Sequence, residues 1–163
     1  MIIIGLGSAG CNIARAFSKF PQYETHTIDT TKEAEITIRP RSTHEDYDTH
    51  FPNLKRKLKF TAGSEVFVVL AGSGTISGGI LRLLEQLRAQ RITLVYIQPD
   101  LDLATTTQRT QERVVRNVLQ EYARSGVLEA IWLIDNLALE RSIGEVSIMS
   151  YYETLNQGIV NTI

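Results

Sequence analysis

The sequence has little of three features that define whole classes of protein: cysteine, net charge and long apolar runs. Cys11 is the only cysteine, so a disulfide framework within the chain is excluded, which favours a reducing, cytoplasmic setting. The formal net charge of −1 disfavours a general binder of nucleic acid or membranes. No apolar run approaches the roughly 20 residues of a membrane helix, and "MIIIGLG" lacks the basic flank of a signal peptide. We therefore expect a cytoplasmic protein with neither kind of partner.

The residues that are present alternate between β-branched apolar runs and segments with helical spacing. Strands are predicted in "MIII", "THTID", "EVFVVLAG", "ITLVYIQP" and "EAIWLID", with "EITIRP" as a short strand ended by Pro40. Helices are predicted over Asn12–Phe20, Leu54–Phe60, Ile80–Ala89, Thr106–Ala123 and Ser147–Ile163. The pattern predicts one α/β domain, residues 1–163, with a three-layer Rossmann-like fold and a mostly parallel sheet between helices. The basic run "LKRKLKF" is interpreted as a solvated helix face.

The first glycine loop, "GLGSAGCN", directly follows the first predicted strand. Its Gly5, Gly7 and Gly10 form G-x-G-x-x-G, and Asp29 ends the second predicted strand. The dinucleotide-binding fingerprint requires this context: a strand, a glycine turn, a helix and then an acidic residue that binds the ribose. A Rossmann oxidoreductase domain that binds NAD is therefore one hypothesis for the function.

A second glycine loop, "GSGTISGG", follows the strand "EVFVVLA" and precedes another predicted helix. If the strands are parallel, both loops lie at the same edge of the sheet, where helix N-termini and free N–H groups attract anions. The hydroxyls of Thr75 and Ser77 add donors, which suits a polyphosphate, although the loop lacks the lysine of a P-loop. The alternative is that these glycines only permit close packing at a sharp turn.

Four segments resemble the tubulin/FtsZ family in the family's order. "GSGTISG" is similar to the signature G-G-G-T-G-[ST]-G, with Ser73 and Ile76 in place of glycines, and the first loop is similar to the family's opening loop. "YETLN" resembles Y-x-x-L-N on the family's central helix, and "LIDNLAL" resembles the segment that supplies a further guanine contact. An asparagine side chain carries both a hydrogen-bond acceptor and hydrogen-bond donors. The asparagines of these segments can therefore bind the edge of guanine or, with the amides flipped, of adenine. The preference for guanine comes from the resemblance.

The resemblance implies a domain that binds GTP or GDP, with Mg²⁺ held through the phosphates, and like subunits or a longer tubulin-like protein as partners. It assigns no catalytic residue and no protein metal ligand to this chain. It implies ribose contact by Arg109 and base contacts by Asn12, Asn136, Tyr152 and Asn156. The implied phosphate-binding residues are Gly7, Ser8, Ala9, Gly10, Cys11, Gly72, Ser73, Gly74, Thr75, Ile76, Ser77 and Gly78.

The sequence also departs from the family. The glycine-rich third loop has no counterpart, because "RSTHEDYDTHFPN" contains no glycine; its His44 and His50 fit no familiar zinc spacing, so we expect a solvated loop there. The family's acidic catalytic loop follows the central helix, and the chain has no acid after Glu153. We therefore expect GTP binding without efficient hydrolysis, from either a fragment or a minimal member of the family. An interaction module that binds no nucleotide remains a third hypothesis.

Overall fold

Six strands form one all-parallel sheet in the order β3-β2-β1-β4-β5-β6 in the computed structural model, which describes residues 1–144, 147 and 150–163. The strands are β1 Ile2–Leu6, β2 Glu24–Asp29, β3 Ile36–Thr37, β4 Glu65–Ala71, β5 Arg91–Gln98 and β6 Leu128–Asp135. The helices are α1 Gly7–Phe17, α2 His44–His50, α3 Ile80–Leu87, α4 Thr106–Arg124, α5 Asn136–Ile143 and α6 Tyr151–Thr162. A short 3₁₀ helix, Thr75–Gly79, precedes α3. The predicted α/β fold with three layers is confirmed.

Helices cover both faces of the sheet because successive strand residues point to opposite sides. Along β1, Ile2 and Ile4 join a core with residues of α2, α3 and α4, whereas Ile3 joins a second core with residues of α1 and α6. Both faces are therefore apolar at the centre of the sheet, which explains why β1, β4 and β5 are nearly continuous apolar runs and do not alternate with polar residues. No helix in the described part of the chain is both long and apolar enough to cross a membrane.

The predicted helix over Leu54–Phe60 is wrong. Leu54 and Leu58 have helical spacing, but they are buried anchors of a turn in which the N–H groups of Lys57 and Leu58 both bond to the carbonyl of Leu54. The solvated loop expected at "RSTHEDYDTHFPN" instead contains α2, which begins after Thr43 because the Thr43 side chain accepts a hydrogen bond from the N–H of Asp46.

Two helix boundaries also differ from the sequence prediction. The first helix begins at Gly7 and not at Asn12, so most of the first glycine loop lies within α1. The last helix was predicted from Ser147, but α6 begins at Tyr151 and Ser147 lies outside it; residues 148 and 149 are outside the described part. Helix α5 was not predicted, and it begins where the Asp135 side chain accepts hydrogen bonds from two backbone N–H groups.

Candidate functional site

The two glycine loops meet at the point where the strand order reverses. β1 and β4 are parallel neighbours, with Leu6 opposite Leu70, so the loops that follow them leave the same edge of the sheet side by side. Ligands of open α/β sheets bind in the crevice outside the carboxyl ends of the strands at such a switch point. The loops are in contact: a Cβ atom added to Gly7, whose φ is +73°, would lie 2.7 Å from the Cγ2 atom of Ile76.

The first loop joins β1 to α1 with close backbone packing. A Cβ atom on Gly5 would overlap the carbonyl of Gly10, and one on Gly10 would overlap the carbonyl of Val69 in β4. These two glycines therefore let α1 lie directly on the sheet. The first turn of α1 has no side-chain cap and no acidic residue, which leaves its N-terminal amides available to an anion.

In the second loop, most of the glycines are required by contacts within the protein. A Cβ atom on Gly72 would overlap the Tyr96 hydroxyl, one on Gly78 would overlap the backbone carbonyl of His44, and one on Gly79 would overlap the ring of Phe51. The packing interpretation therefore accounts for these three positions.

Gly74 is the exception in this loop. Its added Cβ atom would meet nothing nearer than the Cγ2 atom of Ile76, at 3.9 Å, and the residue is exposed. The backbone at Gly74 is thus the part of the second loop that a ligand can approach.

The hydroxyl of Ser77 points into the protein. Ser77 is fully buried, and its Oγ atom donates to the carbonyl of Gly74 at 2.5 Å and lies 3.0 Å from Nε2 of His44. Burial, partly offset by the charge of Asp48, lowers the pKa of His44, which favours a neutral ring whose Nε2–H donates to Ser77. Ser77 therefore holds the loop against α2. Thr75 is half-buried, and its hydroxyl has no hydrogen bond to any described residue, so it is the available hydroxyl donor of this loop.

Two of the predicted base-contacting side chains lie together. Asn12 on α1 and Asn156 on α6 line one cleft of about 320 Å³ between these helices, along with Arg15 and Glu153. Asn156 is half-buried, and Oδ1 of Asn12 accepts a hydrogen bond from Nη1 of Arg15 at 3.0 Å. With Gln157, the cleft thus presents three amide side chains that a planar ligand with donors and acceptors can bind.

The other predicted base and ribose residues do not line this cleft. Tyr152 is 75% exposed and packs edge-on against Tyr151, with ring centroids 5.2 Å apart. Asn136 is the first residue of α5, after β6. Arg109 lies in the first turn of α4, where its Nη2 atom donates to the carbonyl of Asp102 at 3.3 Å.

Asp29 and Cys11 lie beside the first loop and are both buried. The Asp29 carboxylate accepts hydrogen bonds from Oγ of Ser8 at 3.2 Å and from the N–H of Thr30 at 2.8 Å. Burial and then the charge of Asp29 raise the pKa of the Cys11 thiol to about 11, and its Sγ atom lies 3.4 Å from the carbonyl of Ile28. Cys11 can therefore offer a ligand its backbone but not a thiolate.

Sequence reasoning missed the residues that hold the second loop in place. His44, Phe51 and Tyr96 contact its glycines or Ser77, yet they are distant along the chain, and a single sequence carries no signal for such contacts. Among residues 1–144, 147 and 150–163, no three His, Cys, Asp or Glu side chains converge as metal ligands.

The fold and the site define an α/β protein in which two glycine loops lie side by side at the switch point of a parallel sheet. No protein-family model matches the chain, and no curated protein has a detectably similar sequence.

Proposed function

We propose that this chain is a guanine-nucleotide-binding domain of the tubulin/FtsZ type, which holds GTP or GDP across the two glycine loops. The observation that carries the proposal is the position of these loops, which follow the neighbouring parallel strands β1 and β4 and leave the backbone at Gly74 accessible. Two adjacent loops suit a chain of phosphates, because each provides backbone N–H groups at the same edge of the sheet.

The phosphates would be bound chiefly by backbone groups. The uncapped N-terminal amides of α1 face the anion from one side, and the backbone at Gly74 with the Thr75 hydroxyl faces it from the other. Mg²⁺ would arrive with the nucleotide and be held through its phosphates, since no cluster of protein ligands is found among the described residues. Ser77 would act indirectly, because its hydroxyl fixes the conformation of the loop.

The base would lie in the cleft between α1 and α6. Asn12 and Asn156 offer amide donors and carbonyl acceptors there, which can satisfy O6, N1 and N2 of guanine. Helix α6 packs against α1, so a nucleotide could place its base beside Asn156 while its phosphates reach the N-terminus of α1. The tubulin-like arrangement of "YETLN" motivates guanine in preference to adenine.

A Rossmann domain that binds NAD is the second candidate. The strand order and the position of Asp29 at the end of β2 favour it, because an acid there receives the ribose of a dinucleotide. However, Asp29 is only 6% exposed, and both of its carboxylate oxygens already accept hydrogen bonds. This burial leaves little room for a ribose beside the carboxylate.

Calorimetry with GTP, GDP, ATP and NAD, with Mg²⁺ present for the nucleotides, separates these candidates. We expect GTP and GDP to bind, ATP to bind more weakly and NAD to give no measurable heat. The control is Asp29→Asn, which should leave GDP affinity unchanged if the proposal holds. If the chain instead binds NAD through Asp29, the wild type binds NAD measurably and Asp29→Asn binds it more weakly. Binding of NAD without binding of GTP or GDP would contradict the proposal.

A further inference from the structure

A second cavity, of about 230 Å³, lies beside β3 at the C-terminal end of α2. Thr37, Arg39 and Arg41, which lie in and after β3, line it together with Lys57 of the turn that follows α2. His50 also lines the cavity, and no acidic residue does. The lining therefore combines three permanent positive charges with a histidine in a concave site.

These positive charges have no acidic partner among the described residues. Arg39, Arg41 and Lys57 are absent from every salt bridge in the described part of the chain, although Arg41 is half-buried. The acids of the neighbouring helix do not line the cavity: Glu45 and Asp46 belong to the first turn of α2, and Asp48 pairs with Arg82. Unpaired basic side chains that line one cavity without an acid favour the binding of an external anion there.

The structure changes the interpretation of the basic run "LKRKLKF", which was expected to be a solvated helix face. It is not a helix face: Leu54 and Leu58 are buried, and the basic side chains between and beside them are exposed. Of these basic residues, Lys57 lines the cavity. Lys55, Arg56 and Lys59 add further charge close to Lys57. Their field favours the approach of an anion toward the cavity.

We propose that this cavity binds the phosphate group of a small phosphorylated molecule. Two arginines favour phosphate, because a planar guanidinium donates two parallel hydrogen bonds to it. The apolar residues Ile38, Phe51 and Leu54 also line the cavity and can receive the organic part of the ligand. A volume of about 230 Å³ is too small for a folded partner but admits a phosphate with a few attached carbons. A soluble phosphate ester and a lipid headgroup share this chemistry.

This site is separate from the glycine loops. Helix α2 and the ring of Phe51 stand between them: His44 at the start of α2 contacts Ser77 of the second loop, and Phe51, just after α2, packs against Gly79 on one side and lines the cavity on the other. Seven helical residues span roughly 10 Å, so one phosphate cannot occupy both sites. The inference therefore does not depend on the proposed nucleotide function.

The test is a titration of the full ¹⁵N-labelled chain, saturated with GDP and Mg²⁺, and also without them, with inorganic phosphate and with glycerol phosphate. We expect the amide signals of Arg41 and Asn53 to shift with both probes. Arg41→Glu and Lys57→Glu should each weaken binding by about tenfold or more. Arg113→Glu, on the exposed face of α4, is the matched control and should change the affinity less than about twofold. Arg41→Gln serves if the charge reversal prevents folding.

Two further measurements decide whether the phosphate belongs to a lipid or to a soluble ester, and whether the cavity prefers phosphate to carboxylate. Phosphatidylcholine vesicles with and without phosphatidic acid are tested by sedimentation; binding that requires phosphatidic acid and is lost in Arg41→Glu assigns a lipid headgroup. Binding of glycerol phosphate without vesicle binding assigns a soluble ester. Succinate binding as tight as that of glycerol phosphate would overturn the preference for phosphate. Phosphate-induced shifts confined to the glycine loops, or equal affinity in Arg41→Glu and Arg113→Glu, would overturn the site.

Discussion

The glycines of the second loop should respond to substitution in opposite ways. Gly74 has φ −79° and ψ 141°, an extended conformation that any residue adopts, and its added Cβ atom has open space. Gly74→Ala should therefore leave stability unchanged or raise it by about 0.4–1 kcal/mol, because it restricts the unfolded chain. Gly78→Ala places a Cβ atom against the His44 carbonyl, which can yield only if α2 moves. That should cost about 1–3 kcal/mol or more.

Urea unfolding measures both changes. For a slope of about 2 kcal/mol per molar urea, a loss of about 2 kcal/mol lowers the midpoint by roughly 1 M. Gly74→Val should fold like the wild type but lose GDP binding, because its side chain occupies the space where the backbone meets phosphate. If Gly74→Val folds and binds GDP normally, the second loop does not hold the phosphates. If it loses as much stability as Gly78→Ala, Gly74 is a packing residue and the reasoning from open space is refuted.

Three further predictions concern the base, the loop and the thiol. Asn156→Ala should weaken GDP binding by about 1–3 kcal/mol in calorimetry, because it leaves a polar edge of the base unpaired. Asn161→Ala removes only an exposed hydrogen bond with Gln157 and should leave the affinity unchanged. Burial lowers the pKa of His44 below its ordinary 6.5, so the unfolded chain binds more protons than the folded one near that pH, and stability should fall as the pH drops through and below 6.5. His44→Gln should flatten this part of the pH–stability curve. An unchanged slope would refute the lowered pKa of His44. Cys11, with its pKa raised to about 11, should resist thiol reagents at pH 8 until urea unfolds the chain, and rapid labelling of the folded protein would contradict its burial.

The sheet could be predicted because its central strands β1, β4 and β5 are short runs rich in β-branched residues, with glycine or proline nearby. The turn around Lys57 could not, because Leu54 and Leu58 have the spacing of a helix and only tertiary packing distinguishes the two structures. Helix α2 has only seven residues, which is too short for a clear helical repeat of apolar residues. It depends on its packing and on its Thr43 cap, so it could not be predicted from the sequence pattern.

The position of the candidate site could be predicted more fully than its composition. Parallel strands place both glycine loops at one edge of the sheet, as expected. Which glycines are packed and which remain accessible could not be predicted, because this depends on Tyr96, Phe51 and His44, which reach the loop from distant parts of the chain. Tyr152 and Asn156 share helical spacing, yet α1 packs beside Asn156 and leaves Tyr152 exposed, and the spacing alone does not determine this.

A crystal structure of the chain grown with GDP and Mg²⁺ tests the central claim most directly. The account predicts that the two phosphates lie within hydrogen-bonding distance of backbone N–H groups in residues 7–11 and 72–78. It also predicts that the base lies in the cleft lined by Asn12 and Asn156. Nucleotide density away from both loops, or no nucleotide density in crystals grown at saturating GDP, would contradict it.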